Sequence, residues 1–301
     1  MDFKQLESFA AVVKCNSFTK AAEMLYISQP TISTHIRALE AELNCALIHR
    51  TTKSVVLTLE GKKLYEYVSN ILSLRDRMIQ ECATGARKII HVAASTIPAA
   101  YILPKVLAEF GNLYPSTYFV IHQNDSRTVI DGVLDGIFDV GLTGLYRESE
   151  NLYSEKFCED RMVLITPVNQ HFLDLLEEKV AVPEILMSEP VILREKGNGT
   201  KKSADHFLEQ IGLSEDRMNV TARVNDPEAV KNLVASGMGV SIVSQRAASN
   251  FLNEKRLLSF EMPADSSKRN LYVMSRTDRA NNGHIKNFID FLHRYFEIKE
   301  K

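Results

Sequence analysis

Between positions 28 and 37 the chain reads Ser28-Gln29-Pro30-Thr31-Ile32-Ser33-Thr34-His35-Ile36-Arg37, short hydroxyl and amide side chains around one guanidinium. On one face of a helix, such groups hydrogen-bond to base-pair edges, because a slim polar helix enters the major groove of B-form DNA and reaches them. Further on, Arg50 and Lys53 belong to a segment turning at Thr51-Thr52-Lys53-Ser54. Cations there would meet phosphates and add salt-dependent affinity without reading sequence. A second set of candidates lies beyond residue 90. Ser95 and Thr96 in one place, and Asn198, Gly199 and Thr200 in another, follow a strand and open a helix. Hydroxyls and unsatisfied N–H groups at helix starts favour a small anion. Asn124, Ser126, Thr143 and Asn225 occupy similar strand ends. Ser95, Thr96 and Thr200 would serve equally as helix caps, since capping and anion binding share one geometry.

These side chains need elements to position them. Asp2 caps a first helix with Phe3, Leu6, Ala10 and Val13 on one face, and Asn16-Ser17 breaks it. Ser17 caps a second helix, Phe18 to Leu25, with Ala21, Ala22 and Leu25 inward. After the turn at Tyr26-Ile27, Ser28 caps a third helix, and Pro30 is tolerated because first-turn N–H groups have no intrahelical partner. Ile32, Ile36, Leu39 and Leu43 form its inward stripe. Pro30, Thr34, Arg37 and Ala38 are left on the opposite face, flanked by Thr31 and Ser33, with Gln29 at the exposed tip. Asn44 suits a left-handed C-terminal cap. Ile48 to Leu57 reads as a two-stranded wing. Thr58 then caps a long helix through about Cys82, roughly 37 Å at ~1.5 Å per residue. On it, Leu64, Val68, Ile71 and Met78 make an apolar stripe interrupted by Arg75. A second copy of the same helix is the economical partner.

Thr84-Gly85-Ala86 reads as a hinge, after which the pattern changes. Strands are expected at Ile89–Ala94, Tyr118–His122, Val140–Thr143, Met162–Thr166, Pro190–Leu193, Val220–Val224, Val240–Val243 and Leu271–Met274. Helices are expected around Leu103–Phe110, Val129–Leu134, Ala204–Ile211, Glu228–Ser236 and Ile285–Phe296. Such alternation implies βαβ units and mainly parallel sheets, and this length suits two lobes rather than one sheet. The domains expected are therefore 1–58, a linker helix and hinge at 59–87, and 88–301. Within the last, one lobe spans about 88–160 and 266–301, the other about 161–265.

Bulk properties exclude several classes. The 301 residues carry a net charge of −2, 45% apolar and 25% charged residues, which is ordinary for a soluble globular chain. Residues 1–65 hold eight Lys/Arg against six Asp/Glu, a mild local excess. The first fifteen residues mix acids and lysines and do not form a signal peptide. No run approaches the ~20 apolar residues of a membrane span. Cys15, Cys45, Cys82 and Cys158 form no CxxC pair, so a reducing cytoplasm fits, with no disulfide framework, zinc site or cofactor expected. Gly197 to Ser203 resembles a phosphate loop but lacks its glycine spacing, and no HExxH, GxSxG or Cys–His set occurs. Two rival readings remain. A solute-binding module leaves the first 85 residues unexplained, and an α/β enzyme with a helical arm needs a nucleophile, acid–base pair or cofactor loop.

Leu6-Glu7-Ser8-Phe9, Ser17-Phe18-Thr19-Lys20-Ala21-Ala22-Glu23-Met24-Leu25, Ile27 to Ser33, Ile36 to Glu40 and Leu57-Thr58-Leu59-Glu60-Gly61 together resemble the LysR-type regulators. The likeness runs through roughly the first 65 residues, with Asn44 and Ile48 standing where the family usually has glycine and phenylalanine. The resemblance implies an α/β protein with an N-terminal winged helix-turn-helix, a long linker helix and a two-lobed, periplasmic-binding-protein-like effector domain. It implies a homodimer or homotetramer on a pseudo-palindromic double-stranded site, with RNA polymerase a further candidate partner. It assigns DNA contact to Gln29, Pro30, Thr31, Ser33, Thr34 and Arg37, and backbone contact to Arg50; Ser28 and Lys53 join them from the reading of the residues. Ser95-Thr96-Ile97-Pro98 with Gly199-Thr200 resembles the sulfur-assimilation branch, so a sulfate-like oxyanion or a small carboxylate is the effector expected. With Cys158 alone in the sensor, thiol–disulfide sensing of the family's peroxide-responsive kind is not expected.

Overall fold

A computed structural model describes residues 1–50, 55–83, 88–195, 199–263 and 267–299. The chain divides into two compact units, 1–86 and 87–301.

The first unit opens with α1 (Phe3–Cys15), started by a reciprocal cap. Asp2 Oδ1 accepts from the Gln5 backbone N–H at 2.8 Å, and Gln5 Oε1 accepts from the Asp2 N–H at 3.0 Å. α2 (Phe18–Met24) is capped by Ser17 and α3 (Gln29–Leu43) by Ser28. Asn16 and Asn44 close α1 and α3 in the left-handed conformation, at φ 49° and 51°. β1 (Ile48–Arg50) and β2 (Val55–Leu57) pair antiparallel as a wing; the turn between them, with Lys53, lies outside the described residues, as does the expected hinge at 84–86.

The core of this unit joins Leu6, Phe9, Val12, Ala21, Ala22, Ile32, Ile36, Leu39 and Leu47. Two expected stripes shift. In α1 the buried line is Leu6, Phe9 and Val12, while Phe3 stays exposed, because α1 must meet α2, α3 and the following helix at once. Leu43 is exposed because the last turn of α3 projects past the core, and Leu47 fills the interior instead.

α4 (Leu59–Ala83) begins at Thr58, whose Oγ1 donates to the Ala46 carbonyl and accepts from the Gly61 N–H. Gly61 is dictated by contact: a Cβ there would stand 2.0 Å from the Leu47 carbonyl oxygen. The proposed association stripe needs correction. Val68 is fully buried in the core of its own unit, with Leu64 packed beside it. The exposed apolar side chains of α4 include Leu59, Tyr67, Ile71, Leu74, Met78 and Ile79, of which Tyr67, Ile71, Leu74 and Met78 form a line at spacings of four, three and four. α4 thus carries two apolar faces.

The second unit is built on one long strand. β3 (Lys88–Ala94) lies between β4 (Thr117–Gln123) and β5 (Val140–Thr143), parallel to both. Between β3 and β4 run a π-turn at Pro98–Ile102 and α5 (Leu103–Leu113), and α6 (Ser126–Leu134) joins β4 to β5. β6 (Leu152–Pro167) is longer than the expected Met162–Thr166, because its two halves serve different sheets. Residues 152–161 pair with β11 (Lys268–Arg276), whereas 162–167 pair with β9 (Ser241–Ser244) and β10 (Leu257–Glu261), all antiparallel. Only the second half is apolar on both faces, so only that half reads as a strand in the sequence.

Past β6 come α7 (Gln170–Glu177), α8 (Val182–Ser188), β7 (Pro190–Arg194), α9 (Gly199–Gln210), β8 (Asn219–Val224) and α10 (Pro227–Ala235). α11 (Gln245–Asn253) follows β9, and α12 (Gly283–Lys299) ends the described chain. β7 and β8 are parallel, and a bridge from Val191 to Val240 joins them to the β9 side. Two lobes result, each with its own core, crossed by β6 and again between β10 and β11. The expectation of mainly parallel sheets is corrected to mixed ones, since β6 and β11 return against the βαβ direction.

Candidate nucleic-acid interface and ligand cleft

α3 turns Ile32, Ile36 and Leu39 into the core and leaves Gln29, Pro30, Thr34 and Arg37 exposed, with Thr31 and Ser33 half-buried beside them. All six expected base-facing residues therefore lie on one accessible side of one helix. The face is satisfied internally. Ser28 Oγ and Thr31 Oγ1 are 2.7 Å apart, Gln29 Nε2 donates to Ser33 Oγ at 3.1 Å, and Thr34 Oγ1 donates to the Pro30 carbonyl at 3.0 Å. Each pair can exchange its partner for a base edge or phosphate without leaving a buried group unmet. The helix is steadied from behind, where buried Ser8 Oγ lies 2.7 Å from His35 Nδ1. Arg50 ends β1.

In the second unit, Ser95 and Thr96 leave β3, Asn124 leaves β4 and Thr143 ends β5, so four expected residues meet at the carboxyl edge of three strands. Cross-links confirm the juxtaposition: Ser95 N–H donates to the Leu142 carbonyl and Asn124 N–H to the Ala94 carbonyl. Thr143 Oγ1 accepts from the Leu145 N–H, a local turn bond. Ser126, at the first position of α6, is buried, and its hydroxyl has no hydrogen-bond partner among the described residues. Asp125 caps that helix; burial alone would raise its carboxyl, but hydrogen bonds from Thr128 and the Arg127 N–H hold it below the ordinary range. In the other lobe, Asn225 follows β8, exposed, and Gly199 and Thr200 open α9; Asn198 lies outside the described residues.

The structure adds residues that sequence reasoning missed. Arg194 ends β7, is 6% exposed, and makes no hydrogen bond through Nε or Nη1 among the described residues. Burial pulls its guanidinium below the usual range, while Asp226, Tyr101 and Glu195 nearby act in the opposite sense. Tyr101 reaches across from the first lobe and donates to Glu228 Oε1 at 2.6 Å. The same oxygen meets buried Lys231 at 2.7 Å, and that ammonium also donates to the Ala247 carbonyl. Burial and the Glu228 carboxylate push the Tyr101 phenol well above its ordinary range. Where the strands cross, buried Asp160 accepts twice from Arg269 and once from Ser244 Oγ, which binds β6, β11 and the start of α11 together. A pocket of about 660 Å³ opens there between Tyr101, Lys105, Arg161 and Arg246. The signal for Arg194 was a charge continuing the apolar run Val191-Ile192-Leu193.

Residues 3–62 match the family model described as the bacterial regulatory helix-turn-helix protein, lysR family, and residues 83–297 match the LysR substrate binding domain. The chain belongs to the LysR family. It is 33% identical to the helix-turn-helix-type transcriptional regulator CysL of Bacillus subtilis, over 91% of each chain. It is also 33% identical to an uncharacterised helix-turn-helix-type transcriptional regulator of Methanocaldococcus jannaschii, over 95% of this chain and 96% of that one. The fold is shared with CbnR, a LysR family transcriptional regulator, at a TM-score of 0.74, 20% identity, and coverage of 98% and 99%. Full-length BenM superposes at a TM-score of 0.62, 21% identity, and coverage of 100% and 98%. This LysR-family chain is thus a DNA-binding transcriptional regulator with a substrate-binding domain, not an enzyme. No helix among its described residues is long and apolar enough to cross a membrane.

Proposed function

We propose that this LysR-family regulator works in the cytoplasm on a pseudo-palindromic promoter site as a homodimer or homotetramer, and that a small anionic effector held between its two sensor lobes modulates it. The observation that carries the DNA-reading part is the exposed, self-satisfied polar face of α3, with Arg37 its one cation. A guanidinium there suits the paired acceptors of guanine, while Ser33 and Thr34 accept or donate to smaller edges. Association is carried by the exposed line Tyr67, Ile71, Leu74 and Met78 on α4, and a paired assembly would present two copies of α3 to successive half-sites. The effector part rests on the residues gathered at the strand ends, the usual ligand position in open α/β sheets.

Gel shifts with upstream DNA fragments test the reading. Arg37→Ala is expected to weaken promoter binding by about 1–3 kcal/mol and to relax preference at one base pair. Folding, followed by circular dichroism, is expected to be retained. Affinity should fall steeply as salt rises. Purified chain that ignores every promoter fragment, or an Arg37→Ala variant that binds as tightly as the parent, would sink it.

A further inference from the structure

Resting on the reading of an anionic effector, we propose that Arg194 is the residue that reads the effector's charge, and that the ligand must present an oxyanion group, a carboxylate or a sulfate- or phosphate-like centre. Arg194 stands at the carboxyl end of β7, where the backbone ladder continues through the Glu195 N–H to the Val224 carbonyl. The backbone here is tied into that ladder, so the side chain is the group whose role has to be explained. It is 94% buried, its Nε and Nη1 have no hydrogen-bond partner among the described residues, and arginine keeps its charge at any working pH.

Buried guanidinium groups are ordinarily paired with a carboxylate, because an isolated buried charge is strongly disfavoured. Neither neighbouring acid, Asp226 or Glu195, accepts from its Nε or Nη1. Asp226 turns its Oδ1 to the Glu228 and Ala229 N–H groups as the cap of α10. With no acceptor among the described residues, the unmade bonds are open to one from outside the chain. A neutral carbonyl would leave the charge uncompensated, whereas an oxyanion both accepts from the guanidinium and compensates its charge, and arginine's planar array of N–H groups matches such an anion well. Tyr101 of the other lobe belongs to the same neighbourhood, so an anion held by Arg194 would touch the junction that Tyr101 and Glu228 bridge.

The test uses the full-length chain, with acetate, malonate, citrate, sulfate and inorganic phosphate as probes and malonamide as the neutral counterpart. Thermal shift selects the anions that stabilise, and titration calorimetry measures their Kd. At least one anion should stabilise the parent, and its Kd should rise about 10- to 100-fold in Arg194→Met, as expected for loss of charged hydrogen bonds. Arg194→Lys, which keeps the charge without the fork, should fall between. Arg223→Met removes the same charge from the exposed side of β8 and should leave the Kd unchanged. Without any probe, Arg194→Met should melt at or above the parent temperature, since an unpaired buried charge has been removed. A clear fall in that unliganded melting temperature would make Arg194 a structural residue and overturn the proposal. So would equal anion affinity in Arg194→Met and parent, stabilisation by malonamide as strong as by malonate, or a parent that none of the anions stabilises. Promoter binding by the parent is measured alongside. If it fails while the Arg194-dependent anion binding holds, the regulatory reading falls and this one survives; if promoter binding holds while Arg194→Met binds anions normally, the reverse is true.

Discussion

The DNA-facing unit and the sensor unit place function differently on their folds. In the first, fifteen consecutive residues of α3 supply scaffold and proposed site together: Ile32, Ile36 and Leu39 are the buried side, Thr34 and Arg37 the exposed side proposed to read DNA. In the second, the candidate site collects Ser95, Asn124, Thr143, Arg194 and Asn225 from the ends of five strands, so its assembly waits on long-range pairing. The lesson is one of separability. A helix can change its outward residues and keep its core, whereas a site at strand ends shares its backbone with the sheets that form it.

The sharpest way to break this contrast is on α4, where a core face and a free face lie side by side. Val68→Asp buries a charge in the winged-helix core and should cost about 4 kcal/mol or more, enough to unfold the first unit. Ile71→Asp, less than one turn away and exposed, should leave the fold intact and abolish association in sedimentation velocity. If both variants unfold, or both stay associated, the two faces are not distinct.

Next in size is Gly61→Ala. Its methyl would meet the Leu47 carbonyl, and the expected loss is about 3 kcal/mol by urea denaturation. A neutral result would mean that α4 can move off the wing, and that local consistency in this unit is looser than described.

In the sensor, a hydroxyl kept for a ligand should contribute nothing to the empty fold. Ser126→Ala should leave the unliganded stability unchanged or raise it by up to about 1 kcal/mol, because the buried Oγ has no partner to lose among the described residues. Marked destabilisation would return Ser126 to the ordinary helix-start role.

The smallest effect concerns Glu215, which Arg223 and Lys201 hold down to about 2 from an ordinary value of 4.5. A depressed carboxyl stabilises the fold above pH 4.5 and loses that contribution as pH falls toward 2. Glu215→Gln should flatten the stability profile across that window and cost less than about 1 kcal/mol at neutral pH, since the cluster is partly exposed. A variant with the parent's acid slope would show that the ion pairs contribute nothing measurable.

The same contrast governs what could be read from the sequence. Caps and periodicity are local, so Asp2, Ser17, Ser28, Asn44 and Thr58 announced their helices, and the outer face of α3 followed from its inner one. Strands were visible where both faces are apolar, as in β3, β5 and β9. The first half of β6 and all of β10 alternate or carry charge and did not show, and α7, α8 and α11 were short enough to pass as connections. The two faces of α4 could not be told apart by spacing, because the choice depends on where α1 lies. Arg194 was hidden for a related reason: being unpaired is a property of its surroundings in space, and Tyr101 and Asp226 are remote along the chain.

Asp160 and Arg269 face each other on the two strands that pass between the lobes, one register position from where β6 changes sheet. Were the lobes to close about these strands, the carboxylate–guanidinium clamp would sit at the pivot, and groups farther out would swing through a wider arc. Molecules gripped beside the pivot would have almost no leverage, whereas those gripped at the strand tips would turn a slight closure into a long stroke.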